Sequence, residues 1–213
     1  MSKGFSLQKP KRQRFQLNDV KTANLLREQF PYTTVPRILF DGVVVPPTLS
    51  KDIWITDTTF RDGQQARTPY KPEQIVKIYD YLHQLGGPNG IIRQCEFFVY
   101  STRDREAITG CQELGHKYPE ITGWIRANAE DFKIVKSLGL KETGILTSVS
   151  DYHIFLKLKK NRGKVMSEYL DIVKAALDEG IVPRCHFEDI TRADIYGFCL
   201  PFAEELLKLS QQS

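Results

Sequence analysis

The sequence predicts an α/β fold built on a parallel sheet. Two observations carry this reading: from Lys51 onward apolar strand-like runs alternate five times with helical stretches, and those helices are amphipathic, as crossovers packed on one face of a sheet must be. Two closures fit that pattern: an open doubly wound sheet, complete at about this size, and a (β/α)8 barrel, which takes roughly 250 residues and eight strands. Of a barrel, these 213 residues would supply about the first five βα units, ending after a helix where a sixth strand falls due.

The elements follow in order. Residues 1–50 read as an N-terminal extension, polar at first, with a modest helical stretch near Val20–Gln29 and a short hairpin around Asp41-Gly42, a favoured turn pair between Ile38–Phe40 and Val43–Val45. Residues 51–213 form the main domain. Its first strand, "DIWITDTTF", leads to the helix "KPEQIVKIYDYLHQLGG": Pro72 suits the first turn, Ile75, Ile78, Tyr79, Leu82 and Leu85 share one face, and Gly86-Gly87 ends it. The second strand, "IIRQCEFFVYS", precedes a helix with Thr102 as its candidate N-cap and acid in its first turn. "EITGWIRAN" and "AEDFKIVKSLG" make the third pair. "KETGILTSVS" is the fourth strand, followed by an elaborated loop, "DYHIFLKLKKNRGK", and the helix "VMSEYLDIVKAALDEG". "IVPRCHFEDI" is the fifth strand, and Pro201 should kink or split its helix.

Composition narrows the function classes. With 41% hydrophobic and 26% charged residues the chain suits a globular protein with a core. The net charge of +4 owes much to Lys3, Lys9, Lys11, Arg12 and Arg14, which read as a solvated tail rather than a nucleic-acid arm, since no aromatic ladder or basic helix face follows. No apolar run approaches the roughly 20 residues of a membrane span, and no secretion signal opens the chain, so a cytoplasmic location is expected. Cys95, Cys111, Cys185 and Cys199 lack Cys-x-x-Cys spacing and are expected as buried thiols. His83 and His116 are expected on helix surfaces. Dinucleotide, Walker and serine-elbow motifs are all missing.

Functional side chains of parallel α/β proteins collect at the carboxyl ends of strands. There the first strand brings Asp57, Arg61, Asp62 and Gln65, the second Glu96, and the third Arg126, Asn128 and Glu130. The fourth brings Thr147, Ser148, Ser150, Asp151 and His153, the fifth Arg184, His186, Glu188 and Asp189. Each alone reads equally well as an ordinary surface charge or local ion pair. Together they would face one mouth, where burial and mutual charge shift pKa values. Asp62, an oxygen ligand, suits a hard divalent ion such as Mg²⁺ or Mn²⁺, but one carboxylate cannot hold it alone.

"DTTFRDGQQ" resembles the Asp-x-Thr-x-Arg-Asp-Gly-x-Gln signature of the DRE-TIM metallolyases, a pyruvate carboxyltransferase-like family of acyl-CoA barrel enzymes. The family includes isopropylmalate, homocitrate, citramalate and Re-type citrate synthases and hydroxymethylglutaryl-CoA lyase. Similarity continues through "EFFVYS", "SVSDYHIFLKLKKNR" and "RCHFEDITRADI" and lies nearer the synthases than the lyase. The resemblance implies a (β/α)8 TIM barrel, a divalent metal (Mg²⁺ or Mn²⁺, with Zn²⁺ also admitted), acetyl-CoA and a 2-oxo acid as partners, and a homodimer at full length. It implies Asp62 as metal ligand, Arg61 as oxyanion stabiliser, Gln65 as its hydrogen-bonding support, and Glu188 among the catalytic groups. Glu96, Glu130, Arg184 and His186 would be substrate-site residues, with His186 standing where serine or threonine is frequent.

The implied reaction is a Claisen condensation of acetyl-CoA with a 2-oxo acid, followed by thioester hydrolysis. The family's His-x-His pair does not occur in this sequence, so the chain is expected to be the amino-terminal part of a longer enzyme, with an association-prone edge on its last strand. Two alternatives stand beside this reading: hydroxyacyl-CoA cleavage on the same fold, and a noncatalytic partial barrel that docks with a partner.

Overall fold

The computed structural model describes residues 15–29, 52–65 and 67–211. Five parallel strands, β1 (Ile55–Asp57), β2 (Ile92–Phe98), β3 (Glu120–Ile125), β4 (Glu142–Ser148) and β5 (Val182–Glu188), lie in the order 1-2-3-4-5. That order decides between the two closures. A doubly wound sheet reverses direction at a switch point, whereas an unbroken progression is the wall of a barrel. The chain forms five βα units of a (β/α)8 barrel.

The helices are α1 (Pro72–Gly86), α2 (Thr102–Glu113), α3 (Asp131–Ser137), α4 (Arg162–Asp178) and α5 (Leu200–Ser210). Pro72 occupies the first turn of α1, and the Lys71 N–H donates to Gln74 Oε1 at 2.9 Å. Ile75 and Tyr79 bury as expected, but Leu85 is 77% exposed, next to the buried Gly86, and Gly87 ends the helix at φ +65°. The cap of α2 is Ser101 rather than Thr102: its Oγ accepts from Asp104 N at 3.1 Å, and Asp104 Oδ2 accepts from Ser101 N at 3.3 Å.

Alternation along the strands splits the sheet into two faces. Cys95, Phe97 and Val99 with Ile125 and Ile145 join Ile75, Ile108, Phe132 and Val135 in the core between sheet and helices. A second cluster packs Ile154, Val165, Tyr169, Phe198 and Phe202 at the β4–β5 side. The residues between, Gln94 and Glu96, Thr122 and Trp124, Gly144 and Leu146, Arg184, His186 and Glu188, face the barrel interior.

Several expectations change. Residues 20–29 form bends and a turn, not a helix: Leu26 takes φ +49°, and the Asn24 side chain captures its N–H at 3.2 Å. The hairpin expected at 38–45 lies outside the described residues. The elaborated loop after β4 contains a π-helix, Tyr152–Lys157, and α5 is preceded by another, Ile195–Cys199, so the split falls just before Pro201, whose missing N–H is harmless in a first helical turn. His116 lies beyond the end of α2, and it stacks on His83 at 3.7 Å, so neither ring is a plain surface group. His83 Nδ1 meets Tyr118 O at 2.5 Å and His116 Nε2 meets Asp80 Oδ1 at 2.8 Å.

All four cysteines are free; three are buried and Cys185 is half-buried. Burial pushes the Cys185 thiol up to about 11 and those of Cys111 and Cys199 up to about 12. Among the described residues no helix is long and apolar enough to cross a membrane.

Candidate functional site

The polar strand ends resolve into two groups at different depths. In the deeper one Glu96 of β2 is 1% exposed and accepts from Arg61 Nε at 2.7 Å and from Arg184 Nη2 at 2.9 Å. A carboxylate this buried stands only if opposite charge and hydrogen bonds replace its water, and two guanidinium groups do so. Arg61 also donates Nη1 to its neighbour Asp62 at 2.7 Å, across the turn that the Asp62–Gln64 3-10 helix makes after β1. Arg184 continues the network through Gln94, through Thr122 Oγ1 at 3.4 Å and through Glu142 at 3.3 Å.

The guanidinium of Arg61 sits 3.8 Å above the Trp124 ring. Trp124 can lie there because the next strand carries Gly144: a Cβ at that position would come within 2.4 Å of the indole. His186 meets the same indole edge-on, at 4.5 Å and 62°. Its Nε2 is buried without a hydrogen-bond partner, 3.7 Å from Glu96 Oε1. Burial lowers the His186 pKa below the usual imidazole value, the nearby Arg184 and Arg61 lower it further, and Glu96 opposes them only in part. The ring is therefore neutral at pH 7.

The second group lies at the rim. Glu188 is four residues beyond Arg184 on β5, roughly 13 Å further along a strand. It accepts from Ser148 Oγ, from His153 Nδ1 at 3.0 Å and from Lys157 Nζ at 3.2 Å. Burial works against its charge, but the Ser148 hydroxyl, Lys157 and His153 outweigh it and hold the carboxyl below the usual range. Asp189, at φ +65°, takes two hydrogen bonds from Arg192 at 2.8 Å and one from Ser150 at 2.5 Å; these likewise outweigh burial and lower its pKa.

The structure thus brings together Arg61, Asp62, Glu96, Arg184 and His186, and separately Ser148, His153 and Glu188. Other strand-end residues do not converge. Glu130 is exposed and paired with Lys133 at 2.6 Å, and Arg126 is exposed over the Tyr100 ring. Asp57 closes a turn by accepting from Thr59 N and Oγ1 at 3.0 Å. Asp151 is buried against Arg162. Gln65 is exposed, while its neighbour Gln64 turns inward to brace the loop, donating to Phe60 O at 2.7 Å and accepting from Tyr70 N at 2.9 Å.

Sequence reasoning passed over Trp124, Gln94, Glu142 and Lys157. Period-two alternation with Thr122 was the one available signal for Trp124. Asp62, half-exposed, has the oxygen chemistry of a hard-ion ligand. Yet among the described residues no three His, Cys, Asp or Glu side chains are grouped so as to hold an ion. They do not by themselves fit a metal centre.

Comparison with known proteins adds to this geometry. The family model described as HMGL-like matches residues 52–206. The chain is 66% identical over 200 residues to citrate (Re)-synthase of Syntrophus aciditrophicus, covering 94% of this chain and 32% of that protein. It is 53% identical over 199 residues to citrate (Re)-synthase of Clostridium kluyveri, covering 93% and 44%. The chain therefore spans less than half the length of these curated relatives. Among solved structures it resembles the HMG-CoA lyase of Brucella melitensis with a TM-score of 0.53 at 13% identity, covering 75% of this chain and 59% of that one, a likeness of fold alone.

Proposed function

The chain belongs to the HMGL-like family, and on that premise we propose that its strand ends supply part of the site of an acyl-CoA:2-oxo acid condensing enzyme of the citrate (Re)-synthase kind. The substrates are acetyl-CoA and oxaloacetate. One observation carries this choice: the matches at 66% and 53% identity cover 94% and 93% of the chain.

In this reaction the acetyl methyl carbon loses a proton and forms a bond to the keto carbon, whose oxygen becomes an alkoxide and takes up a proton. Water then cleaves the thioester and releases free CoA. Arg61 suits the developing alkoxide, because Glu96, Asp62 and the Trp124 face hold its fork in one orientation before substrate arrives. Arg184 and the neutral His186 would bind substrate oxygens, the imidazole through its unpartnered Nε2. Glu188, held ionised, would act as a charge partner or proton acceptor rather than an acid. Asp62 offers one ligand toward a divalent ion, and none of these roles passes through a metal. Gln65 and Glu130, both exposed, take no role in this assignment.

The test is thiol release from acetyl-CoA by the natural protein that carries these residues, offered a panel of 2-oxo acids, with product stereochemistry read by labelled citrate. Release with oxaloacetate is expected. Release only with branched monocarboxylic 2-oxo acids, or cleavage of hydroxymethylglutaryl-CoA without any condensation, would overturn the assignment.

A further inference from the structure

Both π-helices begin on an aspartate: Asp151 is the N-cap of Tyr152–Lys157, and Asp194 is that of Ile195–Cys199. One guanidinium joins them. Arg162, at the start of α4 and 1% exposed, donates Nε to Asp151 Oδ1 at 2.8 Å, Nη2 to Asp151 Oδ2 at 2.9 Å and Nη1 to Asp194 Oδ2 at 2.9 Å. The N-terminal segment closes the same node from two sides. Asn18 O accepts from Arg162 Nη1 at 2.9 Å, and Asp151 Oδ2 accepts the Asn24 N–H at 2.6 Å. Asn18 N also donates to Gly197 O at 2.9 Å, within the second π-helix.

A guanidinium taken out of water needs partners for its N–H groups, and Asp151 meets only Nε and Nη2, in a two-pronged contact. Nη1 is satisfied by Asp194 and Asn18, so burying this one cation ties α4 to the second π-helix and to the N-terminal segment. The node also sits directly beside candidate chemistry. The first π-helix carries His153 and Lys157, two of the three side chains that reach Glu188, and π turns of this kind frequently mark functional positions.

We propose that Arg162 is a positioning residue for the candidate site: by tying Asp151 to Asp194 and to the N-terminal segment, it fixes the π-helix that lays His153 and Lys157 against Glu188. Docking of residues 18–24 and placement of those two side chains are then one coupled event. The link from Glu188 to turnover rests on the function proposed above; the coupling does not.

Amide hydrogen exchange on the full chain tests it, together with the His153 imidazole resonances. Arg162→Met should speed exchange in 18–24, 152–157 and 195–199 together by roughly tenfold or more, move the His153 signals, and leave β2 and α1 unchanged. Asn24→Pro removes the backbone donor at the far side of the node, together with the side-chain oxygen that accepts from Leu26 N, and serves where Arg162→Met does not fold; it should loosen 152–157 by several-fold and shift His153 in the same direction. The proposal is overturned if Asn24→Pro leaves 152–157 and His153 as they were, or if Arg162→Met loosens one of the three segments alone. Retained turnover in Glu188→Gln with the exchange coupling intact would count against the role given to Glu188 and leave the coupling standing.

Discussion

Arg61 lies flat over the Trp124 ring at 3.8 Å while its Nε donates to the buried Glu96 at 2.7 Å. Neither contact is local: the turn after β1 supplies the cation, β2 the carboxylate and β3 the ring, and Gly144 of β4 makes the space. The orientation of the fork is set by that turn and three strands together, which makes it testable at positions far from Arg61 in sequence.

Trp124→Leu should leave the ion pair in place but remove the aromatic platform. A cation–π contact is worth about 0.5–2 kcal/mol, so kcat/KM of the proposed condensing activity should fall by up to roughly thirtyfold, with Trp124→Phe in between. Gly144→Ala should displace the same indole from behind, because its Cβ would meet Trp124 at 2.4 Å. Overpacking of this kind costs about 1–3 kcal/mol, read as a lower urea midpoint. Unchanged kinetics in Trp124→Leu would mean that the ring does not orient Arg61.

Glu96→Gln should be the most damaging single change in the deeper group. It leaves Arg61 and Arg184 without the carboxylate that both contact, and breaking a buried charge network from one side costs about 3–5 kcal/mol. Urea unfolding is the measure, and a loss under about 1 kcal/mol would show that water already satisfies the two guanidinium groups.

Acid should destabilise the protein in two stages. Because the folded-state pKa of His186 is lowered, the unfolded chain takes up a proton there first, and stability begins to fall as pH drops below about 6.5. Glu188 and Asp189 are also lowered, so their contribution is present above their ordinary values of about 4 and is lost as pH falls through the folded values beneath. Denaturant midpoints between pH 7.5 and 3.5 should show both limbs; His186→Asn should flatten the upper and Glu188→Gln the lower. A wild-type curve flat from pH 7 to 5 would contradict the state assigned to His186.

The four thiols should resist modification in the native protein. With Cys185 raised to about 11 and Cys111 and Cys199 to about 12, the thiolate fraction at pH 8 is small, and burial adds a barrier of access. A thiol-disulfide reagent should titrate none of them quickly in the folded chain and all four after denaturation. Rapid reaction of one native cysteine would point to local opening around it.

Much of this protein was legible along the chain. The strand–helix alternation and the Pro72 and Gly86-Gly87 signals located the βα units, because period and capping are local properties. The "FRDG" and "RCHFED" stretches marked Arg61, Asp62, Arg184, His186 and Glu188, since strand ends of a parallel sheet collect side chains whatever the tertiary detail. Depth and partnership were decided only by the fold. Glu96 is buried between two guanidinium groups while Glu130 stands in solvent, though both are acidic residues near strand ends. Asp151 went to Arg162, and Gln64 turned inward where Gln65 did not. The physical reason is that the energy of a charged or polar side chain depends on the dielectric and the counter-charges around it, and residues from other strands supply both.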